Sequence, residues 1–163
     1  MAKLIKENAF VAPDQWQLRG DEDTVTDFSI ITLTRWQAEK EQLKSLAQAG
    51  KLALHLTSDQ TADVLADDCH HFALICIDFP KFADGRGYSC ARLLRERYRF
   101  KGDLRAVGDV LIDQLFFMNR CGFSSQALRD DQDEHDALAA FSTFSVSYQN
   151  DAHDPRPLFR RRA

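Results

Sequence analysis

Short apolar runs alternate with segments of helical periodicity along most of this chain. The apolar runs predict buried strands at 28–33, 51–56, 72–79, 104–107 and 125–128. The segments that follow them place apolar residues at helical spacing and predict helices over 35–48, 57–68, 88–99, 110–120 and 133–144. Thr34 is expected to cap the first helix and Gly122 to end the fourth. The first 28 residues show neither pattern and are expected to be irregular.

This alternation predicts βαβ units, in which right-handed helical crossovers join parallel strands. About five mostly parallel strands are too few for a complete (β/α)8 barrel, so we expect an α/β fold with an open or incomplete barrel-like sheet. Residues 1–150 are expected to form a single α/β domain. Residues 151–163 contain two prolines and three consecutive arginines, which predict a flexible basic tail.

Composition and charge narrow the classes of function. The 163 residues carry a net charge of −4, whereas nucleic-acid binders usually have a basic surplus, so no nucleic-acid partner is expected. No apolar run approaches the roughly 20 residues that span a bilayer, and no signal peptide is recognisable. We therefore expect a cytoplasmic protein without a membrane partner. The four cysteines form no Cys-x-x-Cys pair, and the adjacent His70 and His71 point to opposite faces of an extended chain, so no metal site or cofactor is evident.

The 84–89 turn joins the third predicted strand to the next helix, and it contains Gly85, Arg86, Gly87 and Ser89. Ligands of α/β proteins bind where strands end and helices begin. The guanidinium fork of Arg86, the Ser89 hydroxyl and the backbone N–H groups of the two glycines are suited to an oxyanion. The alternative is a structural turn in which Arg86 pairs with a nearby carboxylate such as Asp84. The G-x-G-x-x-G spacing of a dinucleotide site is absent.

Two further candidates for a catalytic role are Arg105 and Asp109, on and after the fourth predicted strand. Asp109 is also an ordinary helix N-cap, and that interpretation is favoured. If Arg105 points inward, it needs a carboxylate partner, for which Asp78 or Asp109 would serve. A structural ion pair and a functional role are both open for Arg105.

Cys90 is the third catalytic candidate, because it follows the 84–89 turn within the first turn of a predicted helix. A helix N-terminus lowers the pKa of a thiol and makes the thiolate available. The alternative is an inert helical cysteine.

Several segments of the chain together resemble one bacterial family. They read IDFPKFADGRGYS at 77–89, ARLLRER at 91–97, GDLRAVGDVL at 102–111, DQL at 113–115, RCGF at 120–123 and FSVSYQ at 144–149. The chain resembles the family called domain of unknown function 934 over nearly its whole length, most densely from 74 to 123. Members of that family are commonly labelled as oxidoreductases involved in sulfite reduction.

The resemblance implies two hypotheses from different classes. In the first, the chain is an accessory protein of assimilatory sulfite reduction, a possible oxidoreductase, that binds an oxyanion at the 84–89 turn and receives electrons from a partner. In the second, it is a non-catalytic partner or electron-delivery adaptor of the sulfite reductase haemoprotein. The resemblance thus implies sulfite reductase as the protein partner, whereas the small oxyanion is expected from the residues of the 84–89 turn.

Overall fold

A computed structural model describes residues 3–141 and Ala152. The strands are β1 (Lys3–Lys6), β2 (Ala9–Phe10), β3 (Gln17–Leu18), β4 (Ser29–Thr32), β5 (Leu52–Leu56), β6 (Leu74–Phe79), β7 (Asp103–Gly108) and β8 (Ser125–Leu128). The α-helices are α1 (Leu33–Gln48), α2 (Arg86–Glu96), α3 (Ile112–Cys121) and α4 (Glu134–Ala140). Two 3-10 helices, Ala62–Val64 and Ala66–His71, connect β5 to β6. No helix within this described part has the length and apolar character needed to span a membrane.

All the described strands form one eight-stranded sheet in the order β2-β1-β8-β7-β6-β5-β4-β3. From β3 to β8 the strands are parallel and lie side by side in chain order, while β1 is antiparallel to both β8 and β2. Because each right-handed crossover then moves in the same direction, the helices collect on one face of the sheet. The result is a curled half-barrel of mixed α/β class, which confirms the predicted fold class.

The strand count exceeds the prediction, because three strands lie in the first 18 residues, which were expected to be irregular. β2 and β3 have two residues each, too few to show an alternating pattern. β1 has four residues, of which Leu4 and Ile5 are the buried pair. β1 pairs with β8 and β3 pairs with β4, whereas β2 pairs with its neighbour β1. The predicted pattern of apolar runs and helical segments does not encode these pairings.

The main core lies between the sheet and the helices. Along β5, Leu52, Leu54 and Leu56 face this core, whereas Ala53 lies in a smaller cluster on the opposite face. That second cluster contains Ile30, Ala53, Leu74 and Cys76, with Trp16 and Val107 packed against it. The N-terminal segment thus covers part of the face that the helices leave open. This arrangement suits parallel strands, which are normally buried on both sides.

Several helix boundaries differ from the predicted ones. The predicted helix 57–68 is replaced by the two 3-10 helices. The cap of α1 is Thr32 rather than Thr34, because its side chain accepts a hydrogen bond from the Arg35 N–H at 3.2 Å. Helix α2 begins two residues earlier than predicted. Gly122 ends α3 as expected, with a left-handed φ of 106°.

The last predicted helix, 133–144, is described as α4 over Glu134–Ala140. Its N-cap is Asp133, whose carboxylate accepts from the N–H groups of His135 and Asp136. Residues 142–144 lie outside the described residues. So does the predicted tail 151–163 apart from Ala152, whose N–H donates to the Arg120 carbonyl at 2.9 Å.

Candidate functional site

The carboxyl ends of the parallel strands meet at one edge of the sheet, and Arg86 lies at that edge, at the start of α2. Its guanidinium donates to both oxygens of Asp84, from Nε at 2.9 Å and from Nη2 at 2.7 Å. Nη2 also donates to the Ser58 hydroxyl at 2.9 Å. The Arg86 side chain nevertheless remains 61% exposed. Arg86 is therefore a solvent-accessible cation held in a fixed orientation by the loop that follows β5 and by its own turn.

Asp84 is the residue that fixes this turn. Besides the ion pair, its Oδ1 accepts the backbone N–H of Arg86 at 3.2 Å. The hydrogen bonds from Arg86 hold the pKa of the Asp84 carboxyl well below its usual range, so the ion pair persists across physiological pH. The pairing of Arg86 with Asp84, which was the structural alternative to anion binding, is thus present in the protein.

The two glycines of the turn differ in how closely their neighbours approach. Neither needs a left-handed backbone, since no positive φ is recorded for Gly85 or Gly87. A Cβ added to Gly87 would lie 2.7 Å from the Phe79 ring, so this glycine permits close packing of α2 on β6. A Cβ on Gly85 would meet its nearest neighbour, Tyr88, at 3.9 Å. Gly87 is therefore required by packing, and Gly85 has room for a side chain.

A cleft of about 190 Å³ brings together three of the predicted site residues, Arg86, Ser89 and Cys90. Its other wall is the segment after β5, from Ser58 to Ala62, and Leu93 completes the lining. Ser58 was not among the predicted site residues. Its contact with Arg86 spans 28 residues of sequence and has no local signature.

Cys90 lies in this cleft, and burial opposes ionisation of its thiol. The residue is 5% exposed, and burial raises the pKa of its thiol to about 11. This direction is opposite to the one expected from a helix N-terminus, because Cys90 is the fifth residue of α2 and the cost of desolvating a thiolate dominates. Burial likewise raises the pKa of Cys76 to about 12 and that of Cys121 to about 11.

Asp109 lies at the same edge of the sheet and pairs with another arginine, Arg129. Its Oδ1 accepts from Arg129 at 2.5 Å, and its Oδ2 accepts from the backbone N–H of Phe82 at 3.1 Å. Arg129 also donates to both carboxylate oxygens of Asp131, at 2.6 and 2.8 Å, which lowers the pKa of Asp131 to about 2. Asp109 therefore connects the loops after β6 and β8.

The favoured interpretation of Asp109 as an N-cap is wrong. Helix α3 begins at Ile112, and its N-cap is Leu111. The Leu111 N–H is satisfied by the Gln114 side chain, whose Oε1 accepts at 2.9 Å. Asp109 does not cap α3, and its carboxylate instead bridges the loops after β6 and β8.

Arg105 lies away from the Arg86 cleft, on the sheet face that carries the smaller apolar cluster. Its side chain is 5% exposed, and its Nη1 donates to Asp14 at 2.6 Å. The expected partners, Asp78 and Asp109, are not the ones used. The N-terminal segment crosses this face and supplies Asp14 from 91 residues away. Arg105 thus forms the structural ion pair that was one of its two interpretations.

His55 is a partly buried titratable residue that was not among the predicted site residues. It lies near the carboxyl end of β5, paired in register with Cys76 on β6, and on the same sheet face as Asp78. Burial lowers the pKa of its imidazole, and the Asp78 carboxylate opposes that shift. The LALHL pattern of β5 places one polar residue on the face opposite three leucines, and that break in an apolar strand is the signal that identifies it.

Within residues 3–141 and 152, no group of three or more histidine, cysteine, aspartate and glutamate side chains is placed to hold a metal ion. His70 and His71 close the second 3-10 helix rather than leading directly into an extended strand. His71 packs near Trp36, with ring centroids 6.1 Å apart.

Comparison with known proteins gives a match to a protein family. No curated protein and no solved structure matches the chain. The model of a family described as "Bacterial protein of unknown function (DUF934)" matches residues 53–159, about two thirds of the chain. The match spans the 84–89 turn, Arg105 and Asp109, and it confirms the resemblance seen in the sequence. The chain therefore belongs to this bacterial family of unknown function, DUF934.

Proposed function

We propose that the protein is an accessory protein of assimilatory sulfite reduction and that it binds a small oxyanion at the 84–89 turn. The observation that carries the proposal is the environment of Arg86. The permanently charged guanidinium of a side chain that is 61% exposed borders a cleft that Ser58 and Ser89 also line. A guanidinium fork and hydroxyl donors are the groups that recognise sulfite or sulfate. The sulfite pathway itself is proposed from the label that the family resemblance implies.

Asp84 sets the affinity of this site. It occupies the Nε and one Nη2 donor of the fork, and its negative charge offsets that of Arg86. An oxyanion would bind to the remaining guanidinium donors or displace the Asp84 carboxylate. Binding is therefore expected to be weak in the native protein and stronger when the charge of Asp84 is removed.

The proposed role is binding rather than chemistry on the anion. The Cys90 thiol in the cleft is buried with a raised pKa, so it is protonated and poorly nucleophilic near neutral pH. Asp109, the other candidate at this edge, already accepts hydrogen bonds from Arg129 and from the Phe82 N–H. Electrons for sulfite reduction would then be supplied by a partner protein.

Complementation tests this function. A host strain lacking the gene is grown with sulfate or with cysteine as sulfur source, and carries the wild type, Arg86→Ala or Arg97→Ala. Arg97 is the matched control, because it is an exposed arginine at the opposite end of α2 that also pairs with an aspartate, Asp63. The proposal predicts that Arg86→Ala grows on cysteine and fails on sulfate, while Arg97→Ala grows on both. Normal growth of Arg86→Ala on sulfate would reject the site.

A second candidate function is that of a non-catalytic partner or electron-delivery adaptor of the sulfite reductase haemoprotein. It is favoured by large apolar side chains at the surface, which include Phe82 at 52%, Phe117 at 46% and Leu138 at 38% exposure. Affinity purification of the tagged protein from its host under sulfur limitation tests this role. Co-purified sulfite reductase with haem absorbance supports it, and a colourless protein recovered alone counts against it.

A further inference from the structure

A groove of about 680 Å³ runs between α3 and α4. Its apolar lining comes from Ile112, Phe116 and Phe117 on α3 and from Ala139 and Ala140 on α4. Phe117 is 46% exposed. Grooves between two helices with apolar walls are a common seat for an amphipathic helix from a partner.

The groove carries acidic charge at its rim. Asp113 and Asp136 both line it, and both are exposed. No lysine or arginine among the described residues lies within ion-pair distance of either carboxylate; Asp136 has only the exposed imidazole of His135, 3.8 Å away. Apolar walls with an acidic rim complement a segment that combines apolar and basic side chains.

The groove is continuous with the edge of the sheet that carries Arg86. Phe117 packs against Tyr88 on α2, with ring centroids 4.9 Å apart, and Tyr88 packs against Phe79 at 5.0 Å. Gln114, next to Asp113, donates to the Phe82 carbonyl at 3.4 Å. A partner seated in the groove would therefore lie beside the loop that leads into the 84–89 turn.

We propose that the groove between α3 and α4 docks a cationic amphipathic helix of a partner protein. Its apolar residues would cover Ile112 and Phe117, and its lysines or arginines would pair with Asp113 and Asp136. This inference deepens the adaptor function proposed above, and it supplies the surface through which that adaptor would engage its partner.

The test uses the full chain and synthetic peptides. A fluorescent 16-residue amphipathic helix of leucine and lysine is titrated with the protein, beside a peptide with glutamate in place of lysine and a leucine–lysine peptide of scrambled order. The ordered leucine–lysine peptide is expected to bind saturably and to weaken as salt is raised. Equal binding of the glutamate peptide or of the scrambled peptide would overturn the proposal.

Variants of the groove and matched surface controls test whether the peptide binds in the groove. Phe117→Ser removes an exposed aromatic anchor and is expected to weaken the peptide by about tenfold. The double variant Asp113→Lys/Asp136→Lys changes only exposed charges and is expected to weaken it by a similar factor. The controls are Val64→Ser, which removes another exposed apolar side chain (45%), and Glu41→Lys on the exposed surface of α1. Equal losses in controls and groove variants would overturn the proposal.

Three other outcomes are distinguishable. Concentration-dependent self-association that disappears in the groove variants would assign the groove to a second copy of the chain and reject a partner helix. Saturable, groove-dependent peptide binding without co-purification of sulfite reductase would support the groove and reject the proposed pathway. Co-purification that survives the groove variants would support the pathway and reject this surface.

Discussion

Arg86 and Arg105 are each paired with an aspartate, yet they lie in opposite environments. The Arg105 side chain is 5% exposed, and its partner Asp14 comes from the N-terminal segment that covers the open face of the sheet. The Arg86 side chain is 61% exposed, and its partner Asp84 belongs to the same turn. Removing one partner of a buried pair destabilises the fold, because the other charge is left without its partner. An exposed pair adds little stability, so its cation remains available for a ligand.

The largest expected effect concerns Arg105. Arg105→Met removes the buried guanidinium, and we expect the free energy of unfolding to fall by about 3 kcal/mol, near the low end for broken buried pairs because Asp14 is partly exposed. Urea denaturation measures this loss. Arg86→Ala should leave the unfolding midpoint close to that of the wild type. An equal loss of stability in both variants would remove the contrast between the two pairs.

The second effect concerns the thiol inside the Arg86 cleft. With a pKa of about 11, about one Cys90 thiol in a thousand is ionised at pH 8. Alkylation by iodoacetamide, followed by peptide mass spectrometry, should therefore be at least about 100-fold slower in the folded protein than in urea. Labelling of folded Cys90 at the unfolded rate would show an accessible thiolate and would contradict the raised pKa of this thiol.

The third effect concerns the stability of variants at the two glycines of the 84–89 turn. Gly87→Ala places a Cβ against the Phe79 ring and should destabilise the protein by about 1–3 kcal/mol. Gly85→Ala has space and a compatible φ of −85°, so it serves as the control with near-native stability. Thermal unfolding of both variants checks this. If Gly87→Ala is as stable as Gly85→Ala, close packing of α2 on β6 is not the reason for the second glycine.

The smallest expected effect concerns His55. Its pKa in the folded protein lies below 6.5, so the unfolded chain binds more protons just below that pH, and the free energy of unfolding falls as the pH drops through this range. His55→Gln should flatten this pH dependence. Asp78→Asn removes the opposing carboxylate and should lower the His55 pKa further, as measured by NMR titration. A rise of that pKa in Asp78→Asn would contradict the assignment of Asp78.

The sequence predicts the parallel part of this fold well, because β4 to β8 are apolar runs bounded by helical segments. It does not predict β1 to β3, since strands of two to four residues depend on pairing with other strands rather than on their own pattern. The same limit applies to the site. The 84–89 turn is recognisable locally, and so is its Asp84 pairing. Ser58 and Asp14, which contact the two arginines from 28 and 91 residues away, leave no local trace.

Direct titration with sulfite is the measurement that tests the proposed site most closely. Calorimetry on the full chain would compare the wild type, Arg86→Ala, Asp84→Asn and the control Arg97→Ala, with sulfate as a second anion. We expect the wild type to bind sulfite saturably. Binding should be lost in Arg86→Ala, become tighter in Asp84→Asn and stay unchanged in Arg97→Ala. Sulfite binding that survives Arg86→Ala, or that is undetectable even in Asp84→Asn, would contradict it.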